Sequence, residues 1–204
     1  MYSELAKAIR KNQASFEIEV PEDKIERLAN YYDLIQEHNP ILHLVAPCSP
    51  EEFAIRHILE SLTLSAYLPK NARFADIGTG AGLPSIPCLI FRDDLRAVLI
   101  ESKEKKTRFL EIATEKLELA KRAQIVNKQF EEVVEKDFSY VTCRALDKFT
   151  EKLPRLIKWA RGSRLLLFGG PGLESEFKKF KFAHEKKLLP LSEQRYLFRI
   201  SSKR

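Results

Sequence analysis

The residues best suited to chemistry in this chain are Asp76, Gly78, Gly80, Gly82 and Glu101. They lie in Arg73-Phe-Ala-Asp-Ile-Gly-Thr-Gly-Ala-Gly-Leu-Pro and, further on, in Ala97-Val-Leu-Ile-Glu-Ser. An apolar run ends in an acid and breaks into alternating glycines. A second apolar run then ends in another acid. Glycine has no Cβ, so the backbone there can turn sharply and approach a ligand closely. A carboxylate at the tip of the second strand, at an offset of roughly 20 residues, can accept both ribose hydroxyls of a nucleoside. The chemistry within reach is the binding of an adenosine-bearing cofactor at the carboxyl edge of a parallel sheet.

Glycine spacing narrows the choice. A dinucleotide turn needs G-x-G-x-x-G so that a pyrophosphate can sit on the helix N-terminus. Here Leu83 occupies the third position of that pattern, and no G-x-x-x-x-G-K-[ST] occurs. Alternating glycines after Asp76 suit a ligand with an amino-acid tail, and the stretch resembles the first motif of S-adenosylmethionine-dependent methyltransferases.

The elements that must position these residues follow from periodicity. A short helix is expected over 4–11 and a longer one opened by Pro21 and closed by Pro40, with Ile25, Leu28, Ala29, Tyr32 and Ile35 at helical spacing. Ser49-Pro-Glu-Glu places a capping residue, a proline and two acids at a helix start, which predicts a helix to about Leu68. Beyond Pro69 strands alternate with helices. Strands are expected over 73–77, 96–101, 123–128, 139–145 and 164–168, and helices over 83–91, 103–118, 149–160 and 173–183. Two last runs, 187–191 and 195–201, are too close for a crossover and predict an antiparallel hairpin at the sheet edge. Alternation of this kind implies right-handed βαβ units and a parallel sheet. The fold class is therefore α/β, a Rossmann-like sheet over 71–204 behind an N-terminal helical extension over 1–70.

Composition bounds the partners. The chain has 204 residues, 44% hydrophobic and 31% charged, with a formal charge of +6, values compatible with a globular domain and a polyanionic partner. Cys48, Cys88 and Cys143 are odd in number and scattered without a CxxC, which suggests neither a zinc site nor a disulfide framework. No signal-like apolar core or run of about 18 apolar residues is found, so a cytoplasmic protein with no membrane partner is expected.

At a finer level the chain resembles a family. Arg56-His-Ile-Leu-Glu-Ser-Leu, Asp76-Ile-Gly-Thr-Gly-Ala-Gly-Leu-Pro-Ser-Ile-Pro, Glu101-Ser-Lys-Glu-Lys-Lys-Thr-Arg-Phe-Leu and Thr142-Cys-Arg-Ala-Leu are similar, in order and spacing, to the RsmG/GidB 16S ribosomal RNA guanine-N7 methyltransferases. The resemblance implies S-adenosyl-L-methionine as cofactor and 16S ribosomal RNA or the small ribosomal subunit as partner; nothing in the sequence demands more than a monomer. It implies that Gly78 and Leu83 line the methionine and adenosine path, that Gly80 and Gly82 shape the turn, and that Glu101 holds the ribose. Asp76 would lie near the donor's amino group, and Phe130 and Glu131 would flank the adenine. Arg144 would stand at the cofactor and target-base edge, as the one candidate catalytic residue in a site that works by positioning. Lys105, Lys106 and Arg108 would face the RNA backbone, and Arg56 and His57 would anchor the helical extension to the sheet. No metal is implied.

The chain departs from the family pattern at Glu101, where aspartate is usual, and at Ser85, where the turn usually has glycine. It departs also at His43-Leu-Val, at Gln129 in place of an arginine, and at Phe168, where a lysine normally ends the fifth strand. Two alternatives stay open on the residues alone: a methyltransferase of this fold acting on another RNA or a small molecule, and a non-catalytic RNA- or ribosome-binding relative. Arg144 has a structural alternative as the ion-pair partner of Asp76 or Asp147.

Overall fold

A computed structural model describes residues 3–134, 136–144 and 149–201. Seven strands form one sheet in the order β3-β2-β1-β4-β5-β7-β6, with β1 Arg73–Ile77, β2 Arg96–Ile100, β3 Ala123–Val126, β4 Tyr140–Cys143, β5 Arg164–Gly169, β6 His184–Leu188 and β7 Tyr196–Ser201. The first five in this order run parallel, whereas β7 is antiparallel to both β5 and β6. The expected antiparallel pair is thus present, with β7 seated inside the sheet and β6 at its edge.

Side chains alternate between two cores, as a pleated strand requires. Phe74, Ala97 and Leu99 point into one core, and Ala75, Ile77, Val98 and Ile100 into the other. Burial on both faces is what a parallel sheet demands, and it explains the near-continuous apolar runs in β1 and β2. The first face carries α1 Glu4–Asn12, α2 Glu22–Leu42, α5 Ser85–Phe91 and α6 Glu104–Lys116; the second carries α7 Phe149–Trp159 and α8 Pro171–Lys179.

Between α2 and β1 the chain is helical over 50–67 but changes pitch repeatedly. The segment α3 Pro50–Phe53 leads into a π-helical turn, Ala54–Leu59, then α4 Glu60–Leu62 and a 3₁₀ turn, Thr63–Tyr67. Ser49 caps it as expected, its Oγ accepting from the Glu52 N–H at 3.1 Å. The Glu60 N–H reaches back to the Ile55 carbonyl, five residues away. Such π turns concentrate at functional sites, and this one carries Arg56 and His57.

Three expectations need correction. Pro40 does not close α2. It sits in the last turn, where the loss of one N–H is tolerated, and the helix ends at His43, whose N–H donates to the Asn39 carbonyl at 3.0 Å. The wholly buried tyrosine of α2 is Tyr31, with Tyr32 only partly covered. The strand β6 lies three residues before the run 187–191. Its side chains are mostly exposed and charged, as suits an edge strand, so the apolar alternation that marks inner strands is missing. Residue 145, at the end of the expected fourth strand, and Asp147 lie outside the described residues.

Candidate cofactor and RNA site

The strand order reverses between β1 and β4, and ligands in open α/β sheets bind outside the carboxyl ends of the strands at such a point. Register brings the tips together: Ile77 pairs with Ile100 on one side and with Cys143 on the other. The next residues along these strands are Gly78, Glu101 and Arg144, so the topology alone sets them on one rim. A cavity of about 440 Å³ opens there, within the usual range for a small-molecule site.

Its floor is the glycine turn. At Gly82, φ is +93°, and a Cβ would stand 2.3 Å from Ile86 Cδ1, so both conformation and packing demand glycine. At Gly80, φ is +59° and a Cβ would make ordinary contact with the Gly78 carbonyl at 3.8 Å and Lys106 Nζ at 3.9 Å, so there it is the backbone conformation that favours glycine. Behind the turn lies Asp76, fully buried. Its Oδ2 accepts from Thr79 Oγ1 and from Ser85 Oγ, each at 2.7 Å, so one carboxylate holds both limbs of the turn. Burial pushes the Asp76 carboxyl up to about 7, against the opposing pull of those two hydroxyls.

Glu101 forms the adjoining wall. Its Oε2 accepts from the Gly80 N–H at 3.0 Å and its Oε1 from the Lys103 N–H at 2.9 Å. The backbone thus fixes the plane of the carboxylate, and each oxygen keeps a lone pair for a ribose hydroxyl. The extra methylene of glutamate is taken up without loss of this geometry. A Cβ-free floor beside an oriented carboxylate, in a cavity of this size, fits the nucleoside of S-adenosylmethionine.

The opposite wall is cationic. Arg144 Nη2 bonds to the Arg56 carbonyl and lies 3.5 Å from Glu60 Oε2 and 3.4 Å from His57 Nδ1, while Nη1 reaches Ser61 Oγ at 3.3 Å. Arg144 therefore pairs with Glu60 and not with Asp76. These contacts tie the helical extension to the tip of β4. His57 lies on the cavity wall; burial, then the charges of Arg144, Arg56 and Arg195, depress its pKa to about 3, so the ring is neutral at working pH.

Of the residues singled out from sequence, the cavity gathers Gly78, Gly80, Leu83, Glu101, Phe130, Arg144 and Lys106. Asp76 and Gly82 lie behind the turn and shape it. Glu131 is exposed and lies 3.5 Å from Arg155, away from the cavity. Lys105 is exposed on α6, and Arg108 pairs with Glu104 on the same solvent face. Phe130 is largely buried and packs edge-on against Trp159, so only part of it reaches the wall. Leu44, Val45 and Gln129, noted from sequence only as departures from the family pattern, also line the cavity, and sequence reasoning missed Ala46, Lys103, Lys128 and Lys152. Lys103 and Lys128 lie within three residues of the ends of β2 and β3, a position that could have marked them.

The fold is Rossmann-like, of the kind found in solved methyltransferases. A solved human methyltransferase 10 domain containing protein superposes with a TM-score of 0.59 over 87% of this chain and 98% of its own, at 11% identity. The Pyrococcus horikoshii TYW2 structure in complex with MeSAdo gives 0.53 over 71% and 61%, at 13% identity. The particular family follows from sequence. The model of rRNA small subunit methyltransferase G matches residues 24–193, and the chain belongs to this GidB family. The ribosomal RNA small subunit methyltransferase G of Carboxydothermus hydrogenoformans is 31% identical over 194 residues, covering 90% of this chain and 80% of the relative.

Proposed function

We propose that the protein transfers a methyl group from S-adenosylmethionine to N7 of a guanine in 16S ribosomal RNA. The observation that carries this reading is a cavity lined by both an oriented carboxylate, Glu101, and a group of cations. When bound, the cofactor supplies an electrophilic methyl carbon on a sulfonium. Guanine N7 already exposes a lone pair, so no side chain need remove a proton. The protein's work is positioning. Glu101, Gly78, Gly80 and Leu83 hold the nucleoside end, with the turn braced by Asp76. Phe130 closes one side. Arg144 and neutral His57 stand where a target base would enter, and Lys103, Lys106, Lys128 and Lys152 offer charge to the RNA strand.

N7 of a guanine in an RNA helix lies in a deep groove that side chains reach poorly, so the target is an unpaired or loop base. The helical extension over 1–70 contributes Leu44, Val45, Ala46 and His57 to the rim, which makes it part of the substrate-shaping surface for the domain over 71–204. The reading includes a monomer acting in the cytoplasm, without a membrane partner. Among the described residues no helix is long and apolar enough to cross a bilayer.

The test is methyl transfer from labelled cofactor to small-subunit RNA and to intact subunits lacking the modification, with the product nucleoside identified. The expected product is 7-methylguanosine, lost in Gly78→Arg. Tight cofactor binding with no transfer to either substrate would refute the ribosomal target.

A further inference from the structure

Glu60 is the most buried carboxylate outside the glycine turn, at 1% exposure, and it is surrounded by guanidiniums. Arg195 Nε donates to its Oε1 at 2.6 Å, Arg144 lies 3.5 Å from its Oε2, and the charge of Arg56 is also felt there. Arg56 is itself paired with Glu52 at 2.5 Å. Among the described residues, three guanidiniums thus stand beside two carboxylates at this edge of the cavity.

Arg195 makes the closer of the two ion pairs to Glu60. The residue stands at the foot of β7, level with the carboxyl end of β5, where Gly169 pairs with Tyr196. Its backbone is held on both sides: its N–H donates to Ser192 Oγ at 2.9 Å, and its carbonyl accepts from the Leu189 N–H at 2.9 Å. The loop beneath it is seated tightly, since a Cβ on Gly170 would lie 3.3 Å from the Gln194 carbonyl. Glu60 then fixes the guanidinium plane through Nε alone. The two terminal nitrogens have no hydrogen-bond partner among the described residues, and the side chain is 35% exposed. An arginine held through Nε, with both terminal nitrogens free of partners among the described residues, is pre-organised for bidentate contact with a phosphate. Arg195 also lies beyond the residues matched by the family model.

We propose that Arg195, oriented by Glu60, binds a phosphodiester of the RNA strand next to the nucleotide that enters the cavity. Arg144, on the other oxygen of the same carboxylate, lines the cavity itself, so Glu60 sets the spacing between phosphate and base. The inference rests on the reading of the protein as an RNA methyltransferase and adds a named contact to it.

The experiment measures affinity for unmethylated small-subunit RNA across a salt series, with cofactor affinity measured alongside. Arg195→Gln should raise the RNA Kd about tenfold at low salt and flatten log K against log salt by about 0.7, the share of one phosphate on a single strand. Cofactor Kd should not move. Arg195→Lys should restore most of the slope but not the full affinity, because the charge returns without the fork. An unchanged slope in Arg195→Gln overturns the proposal, as does a parallel loss of cofactor and RNA binding, which would mark Arg195 as a structural tie. Failure of the unaltered protein to bind this RNA would overturn the broader reading together with the contact.

Discussion

The phenol of Tyr31 donates to the Ala81 carbonyl at 2.8 Å, and both residues are buried. A side chain from the middle of α2 thereby fastens the middle of the glycine turn. Tyr31→Phe leaves that carbonyl buried without its partner, which costs about 1–3 kcal/mol. The expected result is a lower melting temperature and a several-fold weaker cofactor affinity by calorimetry. Unchanged affinity would show that the turn holds its shape without α2.

Glu101 accepts from two backbone N–H groups even before any ribose is considered. Glu101→Ala removes both acceptors and the ribose ligand together. Hydrogen bonds to a charged group contribute about 1.5–3 kcal/mol each, so cofactor Kd should rise by on the order of 100-fold. Glu101→Asp, the residue common in the family, should retain much of the affinity. Equilibrium binding of the two variants separates a ribose contact from a purely structural one.

Asp76 gives the protein a specific pH response. Its folded pKa, about 7, stands above the ordinary 3.8 because burial disfavours the charge. Between these values the native state holds a proton that the unfolded chain has released. Stability contributed by this group is therefore complete below about pH 4, declines as pH rises towards 7, and changes little above it. Asp76→Asn should flatten that decline, seen as a smaller difference in denaturation midpoint between pH 5 and pH 7 than in the unaltered protein, on the order of a few kcal/mol.

The lysines at the cavity differ from those on the outer face of α6. Neutralising Lys103, Lys128 and Lys152 together by glutamine should flatten the salt dependence of RNA binding by about 2, at roughly 0.7 per phosphate. Arg108→Gln, which removes a guanidinium already paired with Glu104 in solvent, should leave RNA affinity within about twofold. Equal effects from the two sets would place RNA on the whole helix surface and not at the cavity.

The nucleoside half of the site was legible because its signals are local. Asp76, Gly78, Gly80, Gly82 and Glu101 end strands whose apolar runs are unmistakable, and the strands over 73–77 and 96–100 lie almost where periodicity sets them. The cationic half was not. Glu60 lies at the end of a π turn that no hydrophobic period announces, and its partners are far off in sequence. Arg144 was picked out, but with Asp76 or Asp147 as its structural partner, since nothing in the sequence says which helix crosses the tip of β4. Tyr31 was missed because it neighbours Tyr32, and a shift of one position on a helix is about 100° of rotation.

Those long separations carry a consequence for the order in which the molecule is completed. Glu60 and Arg195 are 135 positions apart, whereas Gly80 and Glu101 are 21 apart. Ribosomes make chains from the N-terminus, so the cofactor cradle is present in the emerging polypeptide long before β7 arrives to slot between β5 and β6. Until then Glu60 lacks one of its two cationic partners at the rim. In the order of synthesis, the carboxylate that orients the nucleoside wall is thus made well before the arginine that fastens Glu60 from β7.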